Sequence, residues 1–372
     1  MNFIFSVLNR PFIYLIVLSL YFSLNTAGIA QASNSSSNKY LDFSAVESYF
    51  LLTDKLETSI EPTDQDWQNY FETPINTLMI DGRALVTTAF RSSLRNVYLT
   101  NSKSLSSEVH SELIHHLKYK KHQKQLKEHI SFLKSSNVVD SIQKYLYPYL
   151  PERLRSIENL PKQYYVFYGE EDATGGGGMV INDLLLSYKI DTYHLGLLSA
   201  HEAFHSIVST SFVNMITNQS GDNDLNIDLL YFLSNLSQEG IADLIDKPLL
   251  MLPNSPVKHK TELFFQDEKQ LAATYISKLD SLLQNSEGNF TQSFQTLFNG
   301  FSKNGGHIPG KIMGATIRDC GLLPDILPAI EDPVLFFEVY NVAVKKCGSE
   351  LPVFSPESLG YLKRLRNEYY KR

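Results

Sequence analysis

Ser199-Ala200-His201-Glu202-Ala203-Phe204-His205-Ser206 reads H-E-x-x-H in an apolar setting, with Leu195, Leu197 and Leu198 before it and Ile207, Val208, Phe212 and Val213 after it. That spacing predicts an α-helix, and residues four apart share one face of a helix. His201 and His205 are therefore placed to hold one metal ion through their ring nitrogens. Glu202 projects close enough to take a proton from a metal-bound water. The plain alternative is a buried helix with two ordinary histidines. Neither Pro nor Gly interrupts the motif, which favours the metal reading.

A catalytic zinc site needs a third protein ligand and an open position. The extension H-E-x-x-H-x-x-G-x-x-H is excluded, because Val208 stands where its Gly belongs and Ser211 where its last His belongs. A carboxylate from a following helix is the other route. Leu229 to Ile245 reads as that helix, and it carries Glu239-Gly240-Ile241-Ala242-Asp243. Glu239 is the expected third ligand. Asp243, four residues on and on the same face, can accept a hydrogen bond from a ligating imidazole and fix its tautomer. Gly240 permits close packing of this helix against the site.

Upstream, Tyr164-Tyr165-Val166-Phe167-Tyr168 and Met179 to Leu186 read as strands on either side of Gly175-Gly176-Gly177-Gly178. Those glycines either bring backbone close to something or make a loose hairpin. From Leu41 to about Leu150 the pattern is helical, with Thr63 or Asp64 as the cap of a helix beginning near Asp66-Trp67. His115 to Lys134, rich in Lys and His, reads as a solvated helix face more than a metal or anion site. The polar segment 221–228 does not match the spacing of a calcium loop. Leu263 to Leu283 is one long amphipathic pattern, and Gly305-Gly306-His307-Ile308-Pro309-Gly310 leads into further helices. The expected fold is α+β and predominantly helical, with a small sheet preceding the motif helix.

The chain has 372 residues, 43% hydrophobic and 20% charged, enough for a sizeable core. Residues 1–32 have the layout of a secretory signal peptide: Arg10, an apolar run from Phe12 to Leu24, then Ala30-Gln31-Ala32. About 13 apolar residues fall short of the roughly 20 needed to span a bilayer, so no stable membrane anchor is expected after cleavage. An exported protein, periplasmic or extracellular, follows. Loss of the segment changes the formal charge from −7 to 32 − 40 = −8. That acidity argues against nucleic acid or anionic lipid as the main partner. Cys320 and Cys347, 27 residues apart, form either a disulfide or two buried thiols. The expected division is a helical region at 33–160, the core with the metal site at 161–250 and a helical region at 251–372. One continuous domain over 33–372 is the alternative.

Over about residues 164–246 the chain resembles the gluzincin, thermolysin-like zinc metallopeptidases, in which H-E-x-x-H is followed on a second helix by E-x-x-x-D. It is most similar to an exported bacterial group of uncharacterised zinc-dependent peptidases. The resemblance implies a zincin-like core and one catalytic zinc on His201, His205 and Glu239. It makes Glu202 the general base and then the proton donor, with Asp243 orienting a ligand. Such enzymes steady the oxyanion with a His or Tyr opposite the glutamate. His307 is the candidate, since its Gly-rich turn can aim a side chain inward, with an exposed or structural His as the alternative. They also bind substrate as an added strand on a sheet edge, and Gly177, Gly178, Met179 and Val180 occupy the matching place. The connector between the two motifs is longer than in thermolysin, which bears on the substrate more than on the metal.

The expected activity is hydrolysis of peptide bonds in a peptide or protein substrate. Two rival readings use the same residues. One is a catalytically silent, zinc-stabilised binding or chaperone-like module. The other makes residues 33–150 an inhibitory propeptide over the cleft.

Overall fold

The computed structural model describes residues 38–82, 85–99, 111–216, 225–285, 294, 296–298 and 306–371. The expected signal peptide, Gly305 and the first part of segment 221–228 lie outside them. The fold is α+β and mostly helical. Its helices are α1 (Ser44–Glu57), α2 (Asp64–Phe71), α3 (Pro74–Asp81), α4 (Thr87–Leu99), α5 (Ser111–Ser135), α6 (Val138–Leu146), α7 (Leu184–Asp191) and the motif helix α8 (Leu197–Met215). After them come α9 (Leu225–Leu250), α10 (Lys258–Phe264), α11 (Glu268–Gln284), α12 (His307–Asp319), α13 (Leu323–Ile326), α14 (Pro333–Cys347) and α15 (Pro356–Tyr369). The strands are β1 (Leu41–Asp42), β2 (Lys162–Val166), β3 (Ala173–Gly176) and β4 (Met179–Asp183), ordered β1-β2-β4-β3.

The described chain forms two compact units. One contains the residues up to Lys144 together with Leu160–Ala203, and the other Tyr145–Asn159 with Phe204–Arg372. The first holds the sheet. Strand β4 lies between β2, parallel to it, and β3, antiparallel to it. It is shorter than expected because Asp183 ends it. The Asp183 Oδ1 accepts the backbone N–H groups of Leu185 and Leu186 at 3.1 and 3.0 Å, capping α7. Its Oδ2 accepts from the Tyr119 hydroxyl and His115 Nε2, both at 2.8 Å, and from the Tyr168 N–H at 3.2 Å. A carboxylate with no exposed surface is affordable only with such a set of donors.

This corrects the reading of His115 to Lys134 as a solvated face. His115, His116 and His129 on α5 are buried. His116 Nδ1 lies 3.0 Å from the Tyr49 hydroxyl, and its ring stacks on Phe167 with centroids 4.0 Å apart. The lysines of α5 hide an inward stripe of aromatic and polar side chains that a charge count does not show. The Thr63 cap stands as expected, in a reciprocal capping box with Asp66. The long pattern from Leu263 to Leu283 is instead two helices, α10 and α11, parted at Asp267, whose φ is +59°.

Ahead of the motif helix, Asp191 pins the turn from which α8 starts. Its Oδ1 accepts the Gly196 N–H at 2.8 Å, and its Oδ2 accepts the Ser187 hydroxyl at 2.6 Å. Burial, only partly offset by those donors, pushes the Asp191 carboxyl up to about 7 from 3.8. The folded protein thus keeps a proton that the unfolded chain has lost, so this group's contribution to stability falls as pH rises from about 4 to about 7. His129, whose Nε2 is 3.1 Å from Ser187 Oγ, is pushed down to about 4 by burial and slopes the opposite way. The readout is therefore the difference between Asp191→Asn and the parent protein. We expect the variant to gain relative stability from pH 4 to pH 8, by up to about 4 kcal/mol. Urea unfolding at several pH values checks this, and a difference independent of pH would refute it.

In the second unit, α9 and α12 cross at glycines. A Cβ on Gly314 would stand 2.0 Å from the Gly240 carbonyl oxygen, and one on Gly310 2.6 Å from that of Leu236. Gly240 does serve close packing, but against Gly310, where its own Cβ would come within 2.7 Å of the carbonyl oxygen. Cys320, at the end of α12, is joined by a disulfide to Cys347 at the end of α14, with Cα atoms 6.0 Å apart. Closing a loop of this size contributes about 2–4 kcal/mol. Among the described residues, no helix is long and apolar enough to cross a membrane.

Candidate metal centre

Helix α8 is continuous from Leu197 to Met215, so His201 and His205 keep the one-turn spacing that its sequence implies. Helix α9 carries Glu239, Asp243 and Asp246, all buried, at successive turns. His205 Nε2 lies 3.4 Å from Glu239 Oε2. Two donors each about 2.0–2.1 Å from a tetrahedral zinc stand roughly 3.4 Å apart, so this spacing suits a pair of zinc ligands. His201, His205 and Glu239 form a buried group whose ligand atoms lie within 4.8 Å of one another, and Asp243 and Asp246 group with His201 in the same way.

Glu202 follows His201 on the same helix, its Oε1 4.0 Å from His201 Nε2, and is nearly buried. Its backbone meets the edge strand of the sheet. A Cβ on Gly175 of β3 would stand 1.8 Å from the Glu202 carbonyl oxygen, a separation no side chain allows. Of the two readings of the glycine run, close approach therefore holds for Gly175. Gly177 and Gly178, with φ of +55° and +79°, make the β3–β4 turn.

The placement of Met179 and Val180 on an edge strand is corrected. Both lie in β4, paired on one side with Lys162 and Gln163 and on the other with Gly176 and Gly175. An inner strand has its backbone donors and acceptors engaged on both sides and cannot add a peptide strand. Among the described residues, the edge strand on this side of the sheet is β3, Ala173–Gly176.

His307, at the first turn of α12, lies beside the carboxylates of α9. Its Nδ1 is 2.9 Å from Glu239 Oε2 and 3.1 and 3.2 Å from the two Asp243 oxygens. Burial disfavours charge on both partners, yet their attraction overrides it. His307, and after it His205, hold the Glu239 carboxyl well below the usual range, while Glu239 and Asp243 hold His307 well above its ordinary value.

Two residues here, Asp246 and Lys247, escaped the sequence reading. Lys247 is partly buried, with its Nζ 3.2 Å from Asp243 Oδ1 and 2.8 Å from Asp246 Oδ2. Burial disfavours its charge, but Asp246 and then Asp243 raise its pKa above the ordinary lysine value. The signal was present: Asp246-Lys247 interrupts an apolar run, Ile241 to Leu250, that is otherwise broken only by Asp243 and Pro248.

Two histidines and a glutamate, buried on neighbouring turns of α8 and α9, are a donor set suited to a divalent transition metal. The family described as "Putative zinc dependent peptidase (DUF5700)" matches residues 67–349, and the chain belongs to it. No curated protein and no solved structure matches the chain.

Proposed function

We propose that the protein is an exported zinc metallopeptidase of the gluzincin type, with a zincin-like core. The observation that carries this reading is the buried group of His201, His205 and Glu239, with Glu202 beside the first histidine. His201, His205 and Glu239 would hold one zinc ion. When bound, zinc polarises a carbonyl group and lowers the pKa of a water toward about 7. Glu202 takes the proton from the attacking water and returns it to the leaving amine. Asp243 holds an imidazole in position. His307, whose Nδ1 faces carboxylates of α9, would steady the developing oxyanion. An extended peptide pairs with the edge strand β3, leading its backbone past Gly175 toward Glu202. The N-terminal 32 residues serve as the export signal and are removed.

The test is metal content measured alongside peptide hydrolysis. Purified protein is expected to carry about one equivalent of zinc, to lose activity on chelation and to recover it on adding zinc. Full activity in zinc-free protein would overturn the reading.

A further inference from the structure

We propose that Lys247 is a built-in cation: its ammonium group takes, between Asp243 and Asp246, the place of a second metal ion and so confines the centre to one. The inference rests on the proposed zinc site and deepens it, since one ion and a pair of ions support different chemistry.

Helix α9 brings Glu239, Asp243, Asp246 and Lys247 together over its last turns. Residues four apart share a helix face, so Glu239, Asp243 and Lys247 form one stripe. Asp246, three residues from Asp243, borders it. This is more carboxylate than one ion needs. Asp243 and Asp246 belong to a second group of potential metal ligands, apart from the pairing of Glu239 with His205. The cation found at Asp243 and Asp246 is the lysine, its Nζ 3.2 Å from Asp243 Oδ1 and 2.8 Å from Asp246 Oδ2. A metal held by that Asp246 oxygen at about 2.0–2.2 Å would lie within about 5 Å of the ammonium. Two cations so close, with little water between them, repel strongly.

The charges agree with this. The buried carboxylates of Glu239, Asp243 and Asp246 are balanced by Lys247 and one divalent ion together. A second divalent ion finds no negative charge on α9 left to neutralise, and a protonated His307 beside Glu239 and Asp243 would only add to the positive side.

The backbone keeps Lys247 in register although a proline follows it. Pro248 stands inside α9 and cannot donate to the Leu244 carbonyl. The Tyr149 hydroxyl donates to that oxygen instead, at 3.0 Å. With the oxygen satisfied, the helix runs on to Leu250 and the four-residue step from Asp243 to Lys247 is preserved.

The number of zinc ions per chain, counted by native mass spectrometry after equilibration with zinc, tests this. The parent protein and Lys247→Arg, which keeps the charge, are expected to hold about one. Lys247→Met keeps the length of the side chain without its charge and is expected to hold about two. Adding Asp246→Asn to Lys247→Met is expected to return the count to about one, which separates the slot from stray binding elsewhere. Circular dichroism with and without zinc follows folding, because removing the lysine leaves a pair of buried carboxylates without its cation. Zinc is expected to restore whatever fold is lost. A lysine that serves only as a structural ion pair leaves the count at about one in every variant, and that result overturns the inference. So do two ions in the parent or in Lys247→Arg, a second ion that survives Asp246→Asn, or a Lys247→Met protein that zinc cannot fold. If the parent takes up no zinc while Lys247→Met takes up one ion, the peptidase reading falls and this inference stands. No zinc in either protein sinks both.

Discussion

Glu202→Gln is expected to retain about one equivalent of zinc while losing peptide hydrolysis by about a thousandfold or more. Gln has the shape of Glu and sits on the same continuous helix between the two histidines, so the ligands are undisturbed. It cannot accept a proton, and general-base catalysis supplies about 10²–10⁴ in rate. A thousandfold loss corresponds to about 4 kcal/mol of transition-state stabilisation. The size of the effect depends on water being excluded around the carboxylate, and Glu202 is only 9% exposed. Zinc content and kcat measured on one preparation decide it. Cleavage by the variant at the parental rate would remove Glu202 from the chemistry.

The second large effect is expected from Gly175→Ala. The added methyl would lie 1.8 Å from the Glu202 carbonyl oxygen, and neither partner is a flexible side chain. Strand β3 must move away from the motif helix or the helix must bend at Glu202. Overpacking of this kind costs about 1–3 kcal/mol and sometimes more, and the upper end is expected because both partners are main chain. Gly178→Ala is the control. Its φ of +79° strains any side chain, but nothing lies within 4 Å of the new methyl, so about 1–2 kcal/mol is expected. Denaturant unfolding of the two variants makes the comparison. Should Gly175→Ala cost no more than Gly178→Ala, the glycine run serves only the turn.

These two predictions draw on different parts of what the sequence discloses. Glu202 is legible because a helix repeats every 3.6 residues, so five letters place two histidines and a glutamate on known faces. Glu239 and Asp243 follow from the same arithmetic on the next helix. Gly175 is different. The run of four glycines signals some close approach, but what is approached lies 27 positions later in the chain. The turn at Gly177 and Gly178 can be read locally, whereas the partner of Gly175 cannot.

His307 shows the same division. Its Gly-rich surroundings mark it as a residue held by a special backbone, yet the sequence suggests an oxyanion partner and is silent on Glu239. The reason is the α9–α12 crossing, where Gly240, Gly310 and Gly314 meet main chain against main chain. Gly310 and Gly314 have the spacing of a helix-contact face, but spacing does not name the helix they meet. The misplacement of Met179 and Val180 on an edge has a related cause. Edge or centre is a property of strand order, and the order β1-β2-β4-β3 is set by pairings that local patterns do not contain. The buried histidines of α5 were hidden by their lysine neighbours, since a helix with one wet and one dry face averages to a polar composition.

By itself the sequence determined the α+β class, the motif helix, the carboxylate helix after it and the spacing of the donors along each, because these follow from local periodicity. Only the tertiary structure decided which strand lies at the edge of the sheet, what Gly175 touches, which histidines are buried and that His307 lies beside Glu239. Those are contacts between segments far apart in the chain, selected by packing and by the pairing of buried polar groups.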